Sequence, residues 1–367
     1  MKVRFIHCSD LHLGAPYSML PREAADRRRA DQRETFARII DLALRPASKA
    51  DLLLISGDLF DSDHPSPRDV AFVRGQLQKL AGGGVRTFII PGNHDPWCDK
   101  GFWSKADFSS VRLFTRPQFE FEQLPDLGIS VCGIAPDASN CSKNQLAGFD
   151  SALPSRVSIL LCHGSWLTFA DEEMRGECHP FSAEDVRKLP FRYVALGHYH
   201  AHRRVENAAI YPGTPEAVGF SRNDLGDRFV VVGTIDDDGS VEAAPQKINV
   251  VSHVMEEFDC TAETYQSLRQ KIERLLSPSN YVRIVLKGRP SADVVAACEK
   301  LSEELADLSA YLSVESRFSN VASLPSENIY LKRFVEKMNA RIQSAPEDRK
   351  PLLGKALEMG VRAFMKE

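Results

Sequence analysis

Five short polar clusters each close an apolar run: Asp10-Leu11-His12, Gly57-Asp58, Gly92-Asn93-His94-Asp95, His163-Gly164 and Gly197-His198-Tyr199-His200. Their side chains offer carboxylate, imidazole and amide donors without thiolate. That set suits a first-row divalent ion such as manganese, iron or zinc better than a soft metal. Asp10 and His12 are two apart, as are His198 and His200. In extended backbone such residues project to one side, so each pair can reach a single site. Taken singly, Asp, Asn and His after a strand also serve as caps and turn residues. Five such clusters in order are a far more specific signal than any one of them.

The elements that must position these clusters are short buried strands. The apolar runs read as strands over Val3 to Cys8, Leu52 to Ser56, Thr87 to Ile90, Ile129 to Ile134, Ser158 to Cys162, Tyr193 to Leu196 and Arg228 to Ile235. Amphipathic stretches alternate with them, which predicts an α/β architecture with sheets covered by helices. One helix is well punctuated, with Ser66 as N-cap, Pro67 at the first helical position and Gly82-Gly83-Gly84 as the stop. Another is expected over roughly Asp31 to Leu44. In open α/β sheets ligands bind beyond the carboxyl ends of the strands, so clusters far apart in sequence can converge there.

Beyond the turn Asp236-Asp237-Asp238-Gly239 the pattern changes. Strands are expected over Lys247 to Phe258, Tyr281 to Leu286 and Tyr311 to Arg317, with helices over Thr264 to Leu276 and Ala292 to Leu305. This is a βαβαβ unit. Asn328 to Ser344 and Lys350 to Met365 then read as two amphipathic helices joined by Ala345-Pro346-Glu347-Asp348. The resulting division is residues 1–245, 246–323 and a helical tail, 324–367. Charged residues make up 26% and hydrophobic ones 43% of the 367, the balance of a soluble globular chain. No apolar run reaches the roughly 18 residues a membrane span needs, and the start turns polar too soon for a signal peptide. A cytoplasmic location is expected. Cys8, Cys132 and Cys162 lie in apolar runs and no CxxC occurs, so the eight cysteines are expected to be reduced and structural.

The five blocks resemble the calcineurin-like metallophosphoesterases, whose pattern is DxH, GD, GNHD, an isolated histidine after a strand, and GHxH. The resemblance implies a β-sandwich flanked by helices in an αββα arrangement, with a small α+β capping domain and a C-terminal helical tail. It also implies a centre of two divalent metal ions, with manganese favoured and iron or zinc able to replace it. One ion would be held by Asp10, His12, Asp58 and His200, the other by Asp58, Asn93, His163 and His198, with Asp58 bridging. His94 would donate a proton to the departing oxygen or stabilise its charge, and Asp95 would orient His94. Ser56-Gly57-Asp58-Leu59-Phe60-Asp61 and Tyr211-Pro212-Gly213-Thr214-Pro215-Glu216 are similar to loops of SbcD/YhaO-type DNA repair exonucleases. That subfamily implies phosphodiester cleavage in DNA, a homodimer, and an SMC-type ATPase partner bound through the tail.

The formal net charge of −4 gives no whole-chain attraction for a polyanion. The site itself would be positive, because two divalent ions bring four charges against the two carboxylates of Asp10 and Asp58. Arg27-Arg28-Arg29 with Arg33 follows the first cluster; it is either a solvated helix face or a DNA phosphate contact. Lys100, Lys105, Arg203, Arg204 and Arg222 flank the same loops and stand equally. Trp97, Phe102, Trp103 and Trp166 would pack beneath the loops or stack on bases. A phosphomonoesterase or small-nucleotide phosphodiesterase shares this core chemistry, and a non-catalytic adaptor could keep the fold.

Overall fold

Residues 52–56 are all buried, yet they alternate in what they touch: Leu52 and Leu54 belong to one apolar cluster, Leu53 and Ile55 to another. The same period-two split sends Val3 and Phe5 to the first cluster and Ile6 and Cys8 to the second. A strand sorted in this way is covered on both faces. The computed structural model describes residues 2–150, 152–167, 178–206, 209–318, 329–346 and 349–364. By its contacts the chain divides into two units, Met1–His253 and Val254–Glu367.

In the first unit, chain order runs β1 (Val3–Cys8), α1 (Arg22–Ala43), β2 (Leu52–Ser56), α2 (Pro67–Gly82), β3 (Arg86–Ile90), α3 (Phe102–Lys105) and β4 (Arg112–Leu113). It continues with β5 (Glu120–Leu124), β6 (Ile129–Gly133), β7 (Val157–His163), α4 (Ala183–Lys188), β8 (Tyr193–Gly197), β9 (Arg203–Val205), β10 (Ala209–Tyr211), β11 (Phe229–Ile235) and β12 (Val241–Lys247). Two six-stranded sheets result, in the orders β12-β11-β1-β2-β3-β4 and β5-β6-β7-β8-β10-β9. Strands β1 to β4 are mutually parallel neighbours, as are β6, β7 and β8. Val3, Phe5, Leu54 and Phe88 of one sheet meet Val131, Ile159, Leu161 and Ala195 of the other in the sandwich core. Phe36, Ile39, Val73 and Leu77 of α1 and α2 cover the outer face of the first sheet. The fold is therefore a mixed α/β sandwich flanked by helices.

Helix α2 starts as its sequence dictates, with the Ser66 hydroxyl accepting from the Asp69 N–H at 3.1 Å. Helix α1 begins at Arg22 rather than near Asp31, because before Asp31 it buries only Ala24, Ala25 and the charged Arg28, which give little apolar signal. The strand expected over Lys247 to Phe258 is two elements. Between β12 and the next strand, Asn249 Oδ1 accepts from the Arg228 N–H at 3.0 Å and Glu216 Oε2 accepts from the Val250 N–H at 2.9 Å. Side chains there replace the ladder partners.

The second unit contains β13 (Ser252–Asp259, which begins at the boundary), α5 (Tyr265–Glu273), β14 (Asn280–Gly288), α6 (Ala292–Cys298), α7 (Leu301–Glu304) and β15 (Tyr311–Phe318). Its sheet runs β13-β14-β15, with β14 and β15 parallel. Helices α8 (Ile329–Gln343) and α9 (Lys350–Phe364) pack on each other through Leu331 and Leu357. Of the expected tail, Asn328, Glu347, Asp348 and Met365 lie outside the described residues, as does the boundary at 323 and 324. No helix among the described residues is long and apolar enough to cross a membrane.

Candidate metal centre

All five clusters meet at one edge of the sandwich. Asp10 and His12 follow β1, Asp58 follows β2, Asn93 follows β3, His163 ends β7, and His198 and His200 follow β8. The loops are stitched together by backbone: Asp10 N–H donates to Gly57 O and His12 N–H to Asp58 O, both at 3.0 Å. Asp10, His12, Asp58 and His198 all adopt positive φ, at 53°, 46°, 51° and 112°. Non-glycine residues rarely do so, and such strain persists where surrounding structure over-determines it, often at functional sites. Gly92 permits a close approach, since a Cβ there would lie 2.1 Å from Asp58 Oδ1.

The donor atoms converge. Ligand atoms of Asp10, His12 and His200 lie within 4.8 Å of one another, as do those of Asp10, Asp58 and His163. Asn93 Oδ1 sits 2.9 Å from His163 Nε2 and 3.1 Å from His198 Nδ1. His163 Nε2 is also 3.3 Å from Asp58 Oδ2.

These residues fit divalent ions, and the tautomers show it. His163 Nδ1–H donates to Ser56 O at 2.8 Å, which turns Nε2 toward the centre, where an ion can replace its proton. His12 Nδ1 lies 3.1 Å from Asp61 Oδ1, while its buried Nε2 has no hydrogen-bond partner among the described residues. A buried imidazole nitrogen without a partner is costly unless something binds it. His200 Nδ1 is 3.6 Å from Asp224 Oδ1. Carboxylates behind ligating imidazoles fix their orientation and raise their basicity.

The charges are coupled. Burial opposes ionisation of Asp58, but the His163 and His12 imidazoles outweigh it and hold its carboxyl well below the usual range. Burial alone would lower His163; Asp58 instead pushes it up to about 9. His198 is lowered to about 3 by burial and by the neighbouring His163. Burial also opposes His200, and Asp224 overrides it, so the imidazole is raised.

His94 stands at the rim, its side chain 45% exposed, with its N–H donating to Asp58 Oδ1 at 2.8 Å. Its ring meets that of His12 edge-on, 4.6 Å between centroids. The orienting role expected for Asp95 is not what the structure places there. Asp95 is fully buried, with Oδ1 accepting from Gly92 N–H at 2.7 Å and Oδ2 from Phe60 N–H at 3.1 Å. The carboxylate beside His94 is that of Asp61, 4.0 Å from Nδ1. Three residues after the glycine whose amide it binds, Asp95 shapes the loop, a local use of a turn carboxylate that sequence spacing does not separate from a catalytic one.

Other assignments change as well. Arg28 is buried and bonds Glu216 at 3.1 Å and Asp31 at 3.0 Å, and Arg33 pairs with Asp69 at 2.9 Å, so these two arginines do not belong to a free face, whereas Arg27 is exposed. Trp103 donates to Asp95 O at 2.7 Å and packs with Phe60 and Phe102 beneath the loops. His64 is exposed, as a turn residue should be. Asp224 was invisible as a site residue in the sequence; its one signal is the Ser221-x-x-Asp224 spacing of a local turn, in which Ser221 Oγ donates to it at 2.7 Å.

A twisted sandwich with aspartate, asparagine and histidine donors converging at the carboxyl ends of its parallel strands defines a metal-dependent phosphoesterase. Residues 3–202, more than half the chain, match the calcineurin-like phosphoesterase family, and the chain belongs to it: it is a metal-dependent phosphoester hydrolase. Among known proteins it is similar to the metallophosphoesterase YhaO of Bacillus subtilis, 27% identical over 86% of this chain and 79% of that one. It is also similar to the DNA double-strand break repair protein Mre11 of Sulfurisphaera tokodaii, 28% identical over 75% of this chain and 69% of that one. With Mre11 of Saccharolobus solfataricus it shares 30% identity over 55% of this chain and 51% of that one.

Proposed function

We propose that the protein is a two-metal phosphodiesterase that cleaves DNA, in end processing or repair. The observation that carries this reading is the convergence of Asp10, His12, Asp58, Asn93, His163, His198 and His200 on one edge, with His94 exposed beside them. Asp10, His12, Asp58 and His200 would hold one ion, and Asp58, Asn93, His163 and His198 the other. When bound, such ions supply Lewis-acid stabilisation of phosphoryl oxygens and lower the pKa of coordinated water to roughly 7. The chain's own part is to keep the donors neutral where it can. Asn93 and four imidazoles add no negative charge, so the centre attracts a phosphodiester although the whole chain is acidic. His94, at the exposed rim, is the group within reach of the substrate, as a proton donor to the leaving oxygen or a stabiliser of its charge.

DNA as substrate is supported by the relatives named for double-strand break repair. Manganese as the working ion, a cytoplasmic location, a homodimer, and an SMC-type ATPase bound through α8 and α9 belong to the same reading. In favour of a tail partner, Tyr330, Leu352 and Met359 leave large apolar surface exposed on those helices.

The test compares cleavage of linear duplex DNA, a cyclic nucleotide and an aryl phosphodiester in manganese, with wild type and His94→Asn. DNA cleavage should exceed the others and fall by about 10²–10⁴ in His94→Asn, with metal content unchanged. Preference for the small substrates would assign a nucleotide phosphodiesterase instead, and unaltered DNA cleavage would remove His94 from the mechanism.

A further inference from the structure

Cys178 lies beside the centre but outside the five sequence blocks. Its Sγ and one imidazole nitrogen from each of His163 and His198 lie within 4.8 Å of one another. The side chain is buried, 3% exposed, and its backbone is fixed. Ser165 N–H donates to Cys178 O at 2.8 Å and His179 N–H to Cys141 O at 2.6 Å. Gly164 lies so close that a Cβ there would be 3.2 Å from Cys178 O and 2.6 Å from His179 O. Cys8, Cys132 and Cys162 are different: they sit in apolar clusters, as structural thiols do. Cys178 is buried against imidazoles.

We propose that Cys178 is a donor to the His163 and His198 half of the centre, giving that half nitrogen and sulfur character and a preference for a thiophilic divalent ion such as zinc over manganese. The inference rests on the metal-centre reading above. Thiolate selects zinc and similar ions, whereas carboxylate, amide and imidazole alone discriminate little between them. The exchange is balanced: the thiol loses its proton to solvent as sulfur binds the ion. The thiolate then adds a third negative charge to those of Asp10 and Asp58. Against the four charges of two divalent ions, the centre keeps a net charge of about +1 rather than +2, and its pull on a phosphodiester weakens. Ion identity at this half would thereby set activity, with zinc holding the enzyme in a slower state than manganese.

Cobalt(II) is the probe, added to the metal-free full-length protein. Visible d–d absorption reports that the centre holds an ion; a near-ultraviolet charge-transfer band reports sulfur bound to it. Wild type should show both. Cys178→Ser should keep the visible absorption and lose the near-ultraviolet band, while Cys141→Ser, at the adjacent exposed thiol, should keep both. In competition, Cys178→Ser should bind zinc about tenfold more weakly, with manganese affinity within about twofold of wild type. Visible absorption without the band in wild type, or a band that survives Cys178→Ser, overturns the sulfur ligand and leaves the centre standing. Equal loss of both metals would mean a merely structural thiol, and no bound cobalt at all would overturn the centre together with this inference.

Discussion

Oδ1 of Asp61 lies 3.1 Å from Nδ1 of His12, and so holds the imidazole with Nε2 turned into the centre. The same oxygen is 4.0 Å from His94 Nδ1, so one carboxylate stands behind a proposed ligand and a proposed acid together. Asp61→Asn should weaken metal binding by about 10–100-fold and shift the pH profile of cleavage. Asp95→Asn should act differently. An amide there sets an NH2 against the Gly92 or Phe60 N–H, at about 1–3 kcal/mol of stability. Metal titration and urea unfolding of both variants separate the roles; a shifted pH profile in Asp95→Asn alone would return the orienting role to Asp95.

Gly92→Ala probes how tightly the loops close on Asp58. The added methyl would meet Asp58 Oδ1 at 2.1 Å and the Asp58 N at 2.4 Å, distances that force the carboxylate or the loop to move. A 1 Å displacement of a catalytic group can cost about 10²-fold. The variant should keep its circular dichroism and lose metal stoichiometry and at least about that much activity. Full metal content would show that the loop relaxes around the methyl.

Much of the site was legible in the sequence, because its residues sit at fixed offsets from strands whose burial alone reveals them. Val3–Cys8 and Leu52–Ser56 match the expected strands to the residue. What escaped was set by long-range contact. β9 and β10 are three residues each, too short for alternation or an apolar run to stand out, and β12 is largely exposed. Asp61 and Asp224 acquire their roles only from the imidazoles they meet, 49 and 24 positions away. Arg28 belongs to a basic run by sequence and to a buried ion pair by structure, since its partner Glu216 comes from a loop 188 positions on.

That ion pair gives the third prediction. Glu216 accepts from Arg28 through Oε1, and through Oε2 from Thr35 Oγ1 at 2.6 Å and Val250 N–H at 2.9 Å. It ties α1 to the segment following β12. Arg28→Met strands a buried carboxylate, which costs about 3–5 kcal/mol, and adding Glu216→Gln should recover part of the loss. Urea unfolding measures both. A change in Arg28→Met below about 0.5 kcal/mol, with weakened DNA binding, would instead make Arg28 a phosphate contact.

His7 makes stability depend on pH without touching the proposed ligands. Its Nδ1 meets the Tyr193 hydroxyl at 2.9 Å and its Nε2 the Ser56 hydroxyl at 2.8 Å, and the ring is fully buried. Burial lowers its pKa to about 3 from an ordinary 6.5. Between those values the unfolded chain binds a proton that the folded chain does not, so unfolding free energy rises with pH. The contribution is fully present above roughly pH 6.5 and is lost as pH falls toward 3. At pH 5 the deficit from this group is about 2 kcal/mol relative to pH 7.5. In urea unfolding at the two pH values, His7→Gln should shrink the wild-type difference by about that amount, whatever its own stability, because glutamine does not titrate. An unchanged pH dependence in His7→Gln would mean that the buried ring is protonated in the folded protein.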